Sequence, residues 1–291
     1  MSQQLKADVL LLLVTLLAAL GWIFSKEALV GFAPLLFIGV RFSIAGFLLA
    51  VIGGRELRQL SVKQWRHSLG VGLFFALGMV FWILGLAYAN HLGVGAFITS
   101  LGVILVPLVA LFFGERPAKS TWFALPLAVI GLACLSLSQT HPLGLGDVFF
   151  MLAALVFAIY FTLNGKAAGT VSTLALAAIQ LSVVGVMSLM LSGLFEQWYW
   201  PAQGDLWLWL LASVFIATSL RFFMQTWAQS LASASHCALM MTLEPVWTAL
   251  LAMLWFAERM GEMQLMGCGF IFLALLVSRS QAWVRWITRS A

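Results

Sequence analysis

Charged residues inside apolar runs carry the chemistry available to this sequence. Arg41 falls in the run 32–52, Arg221 in 206–229 and Glu244 in 235–257. A charge at the centre of such a run costs about 2.5–3.5 kcal/mol on membrane-insertion scales, so each of these side chains must face protein or water. Arg41 therefore either lines a cavity and anchors an anionic group, or pairs with a carbonyl or carboxylate and fixes packing. Arg221 lies 11 residues before Ala232, and Glu244 lies 11 residues after Ser233. At about 1.5 Å per residue both stand some 17 Å from that short turn, so they share one depth. Opposite charges at one depth offset each other's cost, and a buried Arg221–Glu244 pair is expected if the two helices turn the right faces toward each other. Broken by a proton or a bound solute, such a pair couples binding to a change of shape; unbroken, it is a brace. Pro245 directly follows Glu244, removing a backbone N–H and freeing the carbonyl of Met241.

Uncharged polar or amphipathic residues within the runs form a second set. Trp22, Tyr88, Tyr160, Asn164, Gln180 and Gln225 are candidates for binding a small solute. Against this stands the bland alternative that aromatic residues face lipid or fill the core, as most of the 13 Trp and 23 Phe must. His67, His91 and His141 lie at helix ends or in loops and read as solvated; His236, just inside an apolar run, is a candidate proton relay. Gly144-Leu145-Gly146-Asp147 spells the GxGD of intramembrane aspartyl proteases. That chemistry needs two carboxylates sharing a proton. The other aspartates, Asp8 and Asp205, stand at helix ends, so Asp147 reads as the N-cap of the helix it opens. Cys134, Cys237 and Cys268 sit singly in apolar surroundings and read as core residues. With no Walker loop, HExxH or GxSG-like motif, neither enzyme activity nor a metal or cofactor is expected.

The elements that hold these residues are membrane helices. Hydrophobic residues make up 63 % of the 291 and charged residues 9 %, with a mean hydropathy of +1.05. A soluble domain carries roughly 25 % charged residues, so this chain cannot coat itself with polar groups and must face lipid. The apolar runs reach the roughly 18 residues or more that cross hydrocarbon as helix. Turn signals divide the chain into ten segments, 8–25, 32–52, 68–89, 93–113, 119–138, 147–165, 172–193, 206–229, 235–257 and 263–282. Breaks fall at Gly53-Gly54, Asn90-His91, His141-Pro142 and Pro201. The first run follows a polar start with no cleavage site and is expected to stay as a helix. The expected class is an all-α integral membrane protein with ten transmembrane helices.

Basic residues orient the chain. With the N-terminus inside, eleven of the 15 Lys and Arg fall in inner segments, Arg55, Arg58, Lys63 and Arg66 among them. Only Lys26 and Arg259 fall outside. This asymmetry puts both termini in the cytoplasm, and it accounts for the net charge of +5 without nucleic acid.

The two halves also resemble each other at a shift of 139 residues. Asp8-Val9 matches Asp147-Val148, and Val40-Arg41-Phe42-Ser43-Ile44-Ala45-Gly46 matches Ile179-Gln180-Leu181-Ser182-Val183-Val184-Gly185. Pro107 and Pro245 match at 138. Five helices is an odd number, so the second copy, 140–291, enters the membrane inverted relative to 1–139. Inverted repeats recur in secondary carriers, with the solute near the midplane between them.

With Trp22, Arg41-Phe42, Val106-Pro107, Gly146-Asp147, Leu243-Glu244-Pro245-Val246 and Glu258-Arg259, the chain resembles the drug/metabolite transporter superfamily, in particular its EamA-type ten-helix members. The resemblance spans nearly the whole chain. It implies a monomeric or dimeric carrier of the bacterial inner membrane, moving a small organic metabolite such as an amino acid or related solute. A multidrug or lipophilic-cation exporter and a vitamin-type importer are the alternatives.

Overall fold

The computed structural model describes residues 3–88, 92–136, 144–255 and 261–290. The expected breaks at Asn90-His91 and His141-Pro142, the two histidines there, and Glu258-Arg259 lie outside the described residues. Among the described residues all regular structure is helical. The helices are α1 (Gln3–Ala28), α2 (Pro34–Ile52), α3 (Gly54–Arg58), α4 (Val62–Tyr88), α5 (Leu92–Phe112), α6 (Lys119–Ser136) and α7 (Leu145–Ala168). Then come α8 (Thr173–Phe195), α9 (Gly204–Val214), a π-helical stretch Phe215–Leu220, α10 (Arg221–Leu231), α11 (Ala234–Met241), α12 (Glu244–Trp255) and α13 (Glu262–Ser290). Seven stretches are long and apolar enough to cross a membrane, counting Gly204–Leu231 and Ala234–Trp255 as one each. Three more apolar stretches are shorter: Ile98–Phe112, Lys119–Cys134 and Glu262–Val277. The chain is a multi-pass helical membrane protein.

Local chemistry sets several helix ends. Ser61 and Gln64 bond reciprocally at the start of α4, the Gln64 amide oxygen accepting from the Ser61 N–H at 2.9 Å and the Ser61 hydroxyl from the Gln64 N–H at 3.3 Å. This capping box starts the helix before the apolar run does, and adds a polar turn carrying Lys63 and Arg66. At the other kind of end, Glu196 reaches across to the first turn of α2. Its two carboxylate oxygens accept from the N–H groups of Leu35 at 2.8 Å and Leu36 at 2.9 Å. Pro34 opens that helix, where its missing N–H costs nothing, and Glu196 satisfies two of the donors left over. Asp147 differs from its expected place. The helix begins at Leu145, and Asp147 lies in its first turn with its carboxylate accepting from the Gly144 N–H at 2.8 Å. It closes the turn from inside because glycine, with no side chain, occupies the cap.

Two membrane helices are irregular. The first is interrupted by Phe215–Leu220, and the second breaks between α11 and α12, two residues before Pro245. There the N–H groups of Thr242 and Leu243 turn back to Leu239 and Met240 in tight i→i−3 bonds. Ala217, Thr218 and Ser219 of the first and Thr242 and Leu243 of the second are buried in the molecule's interior, where displaced backbone polar groups are tolerated.

Close helix contacts use glycine. Along α2, Gly39, Gly46 and Gly53 meet Leu189, Ser182 and Leu174 of α8, so the two helices run antiparallel. The contact is reciprocal: Gly46 abuts Ser182, and Gly185 abuts Ser43. Gly78 and Gly85 of α4 receive the rings of Phe157 and Phe150 from α7, and Gly102 of α5 lies against the Ala154 carbonyl. In α6, Gly131 lies against Gly267 and Ile271 of α13. Without a hydrophobic force between helices in lipid, such close approach supplies the packing that holds them together.

A methyl added at Gly46 would lie 2.6 Å from the Ser182 backbone nitrogen, whereas one at Gly54 would meet nothing. Gly46→Ala should therefore lower stability by about 1–3 kcal/mol through overpacking, while Gly54→Ala should leave it unchanged. Thermal unfolding of the purified protein in detergent checks this, and equal melting temperatures for the two variants would refute the packing account.

Candidate functional site

The two irregular stretches and the glycine-packed helices enclose a cavity. Its core accessible to water measures about 140 Å³, roughly ten times what a single water needs. Trp22, Phe42, Phe75, Trp82, Phe157 and Phe222 give it an aromatic wall. Arg41, Tyr160, Arg221, Gln225 and Glu244 bring polar groups to that wall, and Thr99, Ser100 and Thr248 add hydroxyls.

Arg41 is buried, and neutral oxygens hold its guanidinium. Nε donates to the Thr218 hydroxyl at 2.5 Å, one terminal nitrogen to the Ser25 hydroxyl at 2.9 Å, and the other to the Ala217 carbonyl at 3.2 Å. Ser25 in turn donates to the Gly21 carbonyl at 2.6 Å, and Thr218 to the Ser213 carbonyl at 2.8 Å. Ala217 and Thr218 belong to the π-helical stretch. Its wider turn changes the carbonyl pattern, and single π turns of this kind concentrate at functional sites. Glycine at position 21 allows the close approach, since a methyl there would stand 3.1 Å from the Ala217 side chain. Arg41 thus reaches the cavity while bracing α1, α2 and the π turn.

Glu244 is the hub of the opposite wall. One carboxylate oxygen accepts from the Trp22 indole N–H at 2.8 Å. The other stands 3.7 Å from a terminal nitrogen of Arg221. The two charges placed at one depth by the sequence therefore do face each other, though the closer partner of Glu244 is Trp22. Arg221 also covers the Phe222 ring at 4.2 Å, a favourable placement of a cation on an aromatic face.

Tyr160 leads away from the cavity into a buried chain of amides. Its hydroxyl donates to the Gln180 oxygen at 3.1 Å, and Gln180 donates to the Asn164 oxygen at 2.5 Å. Asn164 donates to Gln229, which donates to the Phe161 carbonyl at 3.1 Å. All donors point one way along the chain, and each bond polarises the next.

A family model for the EamA-like transporter family matches this chain twice, over residues 5–137 and 144–280. The chain belongs to the EamA-like transporter family. Two proteins of Archaeoglobus fulgidus, each described as an uncharacterized transporter, are similar to it. One is 27 % identical over 277 residues, covering 94 % of this chain and 86 % of its own length. The other is 26 % identical over 211 residues, covering 67 % of this chain and 75 % of its own. A crystal structure with 19 % sequence identity superposes with a TM-score of 0.79, over 94 % of this chain and 96 % of that one, and so shares the fold.

In this EamA-like chain, the residues singled out from sequence separate into three groups. Trp22, Arg41, Tyr160, Gln225, Arg221 and Glu244 come together on the cavity wall. Asn164 and Gln180 do not; they are fully buried behind Tyr160 and hold it in place. The expectation that Gln180 binds the solute is corrected accordingly, because the Tyr160 ring, stacked on Phe75 at 4.4 Å, stands between Gln180 and the cavity. Tyr88 is corrected too. It ends α4 at the molecular surface, 56 % exposed, with its ring 6.0 Å from Phe149, where an amphipathic tyrosine suits the membrane–water boundary. His236 approaches Asp8 at 2.7 Å, tying the start of α11 to the start of α1 away from the cavity wall. Sequence reasoning missed Ser25, Thr218 and Ala217 around Arg41. A hydroxyl inside an apolar helix was the available signal; the π turn that aims it has no sequence pattern.

Swapping the pair, Arg221→Glu with Glu244→Arg, tests the central contact. Each single change leaves like or unpaired charges in the interior and should cost about 3–5 kcal/mol of stability. The double variant should recover folded yield, measured by size-exclusion profile and melting temperature. A double variant no better than either single would show that the two side chains do not act on each other.

Proposed function

We propose that this EamA-like protein is a secondary transporter, carrying an amino acid or related small organic metabolite across a bacterial inner membrane by alternating access. In this reading residues 1–139 and 140–291 form two inverted five-helix repeats with both termini in the cytoplasm, working as a monomer or homodimer. The ligands are a small-molecule substrate and the lipid bilayer, with no cofactor or nucleic acid, and the protein is a carrier rather than an enzyme.

One observation carries the proposal: matched positions of the two halves line the same cavity. Gly21 and Tyr160, and Trp22 and Phe161, lie on its wall 139 residues apart, and Ser100 and Ala238, and Val103 and Met241, lie there at the shift of 138 that matches the two prolines. The α2–α8 contact has the same reciprocity, with Gly46 on Ser182 and Gly185 on Ser43. Positions i and j meeting as j and i is what a two-fold relation produces. A cavity on such an axis can open to either side when the halves exchange conformations. Lipophilic-cation export is less well supported, because Glu244, the one carboxylate on the described wall, already accepts from Trp22.

Two measurements test this. In a chain freed of its three cysteines, Ser61→Cys should resist an impermeant thiol reagent in intact cells and react after lysis; strong labelling of intact cells would overturn the topology. Metabolite profiles of cells with and without the gene should differ in a small organic solute, and protein-dependent flux of that solute into reconstituted vesicles should follow. Vesicles that show no such flux would remove the transporter reading.

A further inference from the structure

The charges on the cavity wall do not balance. Arg41 and Arg221 face one carboxylate, Glu244, among the described lining residues. Arg41 is held by two hydroxyls and a carbonyl, which engage three of its five N–H groups and leave its charge uncompensated. Glu244 has its nearer bond to the neutral Trp22 indole, and Arg221 reaches it at 3.7 Å, beyond good hydrogen-bond distance. The Nε of Arg221 is buried and finds no partner among the described residues, and neither does the amide oxygen of Gln225 one turn further along α10. Unpaired buried polar groups are costly, and both of these belong to residues that line the cavity.

We propose that the cavity takes an organic monoanion: a carboxylate that carries an aromatic ring, seated on Arg221, with a hydrogen-bond donor for Gln225. This rests on the transporter reading and narrows its substrate. The anion would bring the wall from a surplus positive charge to neutrality, and its ring would lie among Trp22, Phe75, Trp82 and Phe222. A guanidinium suits a carboxylate through two parallel N–H bonds. A zwitterion fits less well. Its ammonium would have to take Glu244 from Trp22 or Arg221, and it would leave the surplus charge in place. A cation adds to that surplus.

Three molecules that share a phenylethyl unit separate these cases: 3-phenyllactate (anion with a hydroxyl donor), phenylalanine (zwitterion) and phenethylamine (cation). Binding of each, radiolabelled, to the purified protein in nanodiscs at neutral pH gives the order of affinity. Phenyllactate should bind at least about tenfold more tightly than the other two. Arg221→Gln keeps a hydrogen-bonding side chain but removes the charge. It should weaken phenyllactate about ten- to a hundredfold, the worth of a charge-assisted bond, and Gln225→Leu should weaken it less. If the Arg221 variant fails to fold, Gln225→Leu and the order of the three ligands still decide. Tighter binding of phenylalanine or phenethylamine, or no saturable binding of phenyllactate, overturns the proposal. Counterflow in vesicles keeps it apart from the transporter reading. Preferential flux of phenylalanine or phenethylamine would leave a transporter and remove the monoanion. Tight phenyllactate binding with no flux of any solute would leave the anion site and remove the transporter.

Discussion

Hydrocarbon offers neither hydrogen bonds nor screening, so every polar group within the membrane must find its partner inside the protein. Arg41 is the severest case. It carries a full charge, and its guanidinium has five donors to place. Ser25 and Thr218 provide hydroxyls and the π turn provides the Ala217 carbonyl. Those contacts fix α1, α2 and the interrupted helix to one another around a single side chain. The glycine contacts follow from the same constraint. Helices that gain nothing hydrophobic by meeting must meet closely, and Gly21, Gly39 and Gly46 let them do so.

The cavity is a consequence of the irregular helices. A straight, fully bonded helix presents side chains but no free backbone. Here one membrane helix widens into a π turn before Arg221, and another breaks before Glu244 and Pro245. The two interruptions stand beside the cavity, with Ala217 of the first and Met241 and Glu244 on either side of the second lining it. Arg221 and Glu244 each follow their interruption directly, which places the charged residues at the most adaptable points of their helices. A change of charge on Glu244 acts on Trp22 and Arg221 together, and so on α1, α10 and α12 at once.

Polar support behind the wall has a different character. The chain from Tyr160 through Gln180, Asn164 and Gln229 has every amide engaged and ends on a backbone carbonyl. A satisfied network of this kind holds one arrangement rigidly. Arg221 and Gln225, by contrast, line the cavity and each keeps a buried atom with no partner among the described residues. The interior thus divides into a braced layer and a layer with capacity left for a ligand.

Much of this was legible in the chain alone, for reasons that lie in one dimension. A run of apolar residues long enough to span hydrocarbon specifies a helix whatever its neighbours, so length and composition located the membrane helices. Depth is also one-dimensional: counting residues from the Ala232-Ser233 turn put Arg221 and Glu244 level. Rotation about the helix axis is not. In a helix that is apolar nearly all round, no polar stripe records which face is inward. That is why the sequence alone groups Tyr88 and Gln180 with the solute-binding candidates, though Tyr88 lies exposed and Gln180 stands behind Tyr160. The helix starts set by Gln64 and by Glu196 show the same division. Ser61 and Gln64 are three residues apart and readable as a capping box, whereas Glu196 caps a helix more than a hundred residues away. Composition, depth and local caps were determined by the sequence itself. Facing, the cradle of Arg41 and the surplus charge of the cavity were decided only when distant helices packed, because each depends on which side of a helix its neighbour occupies.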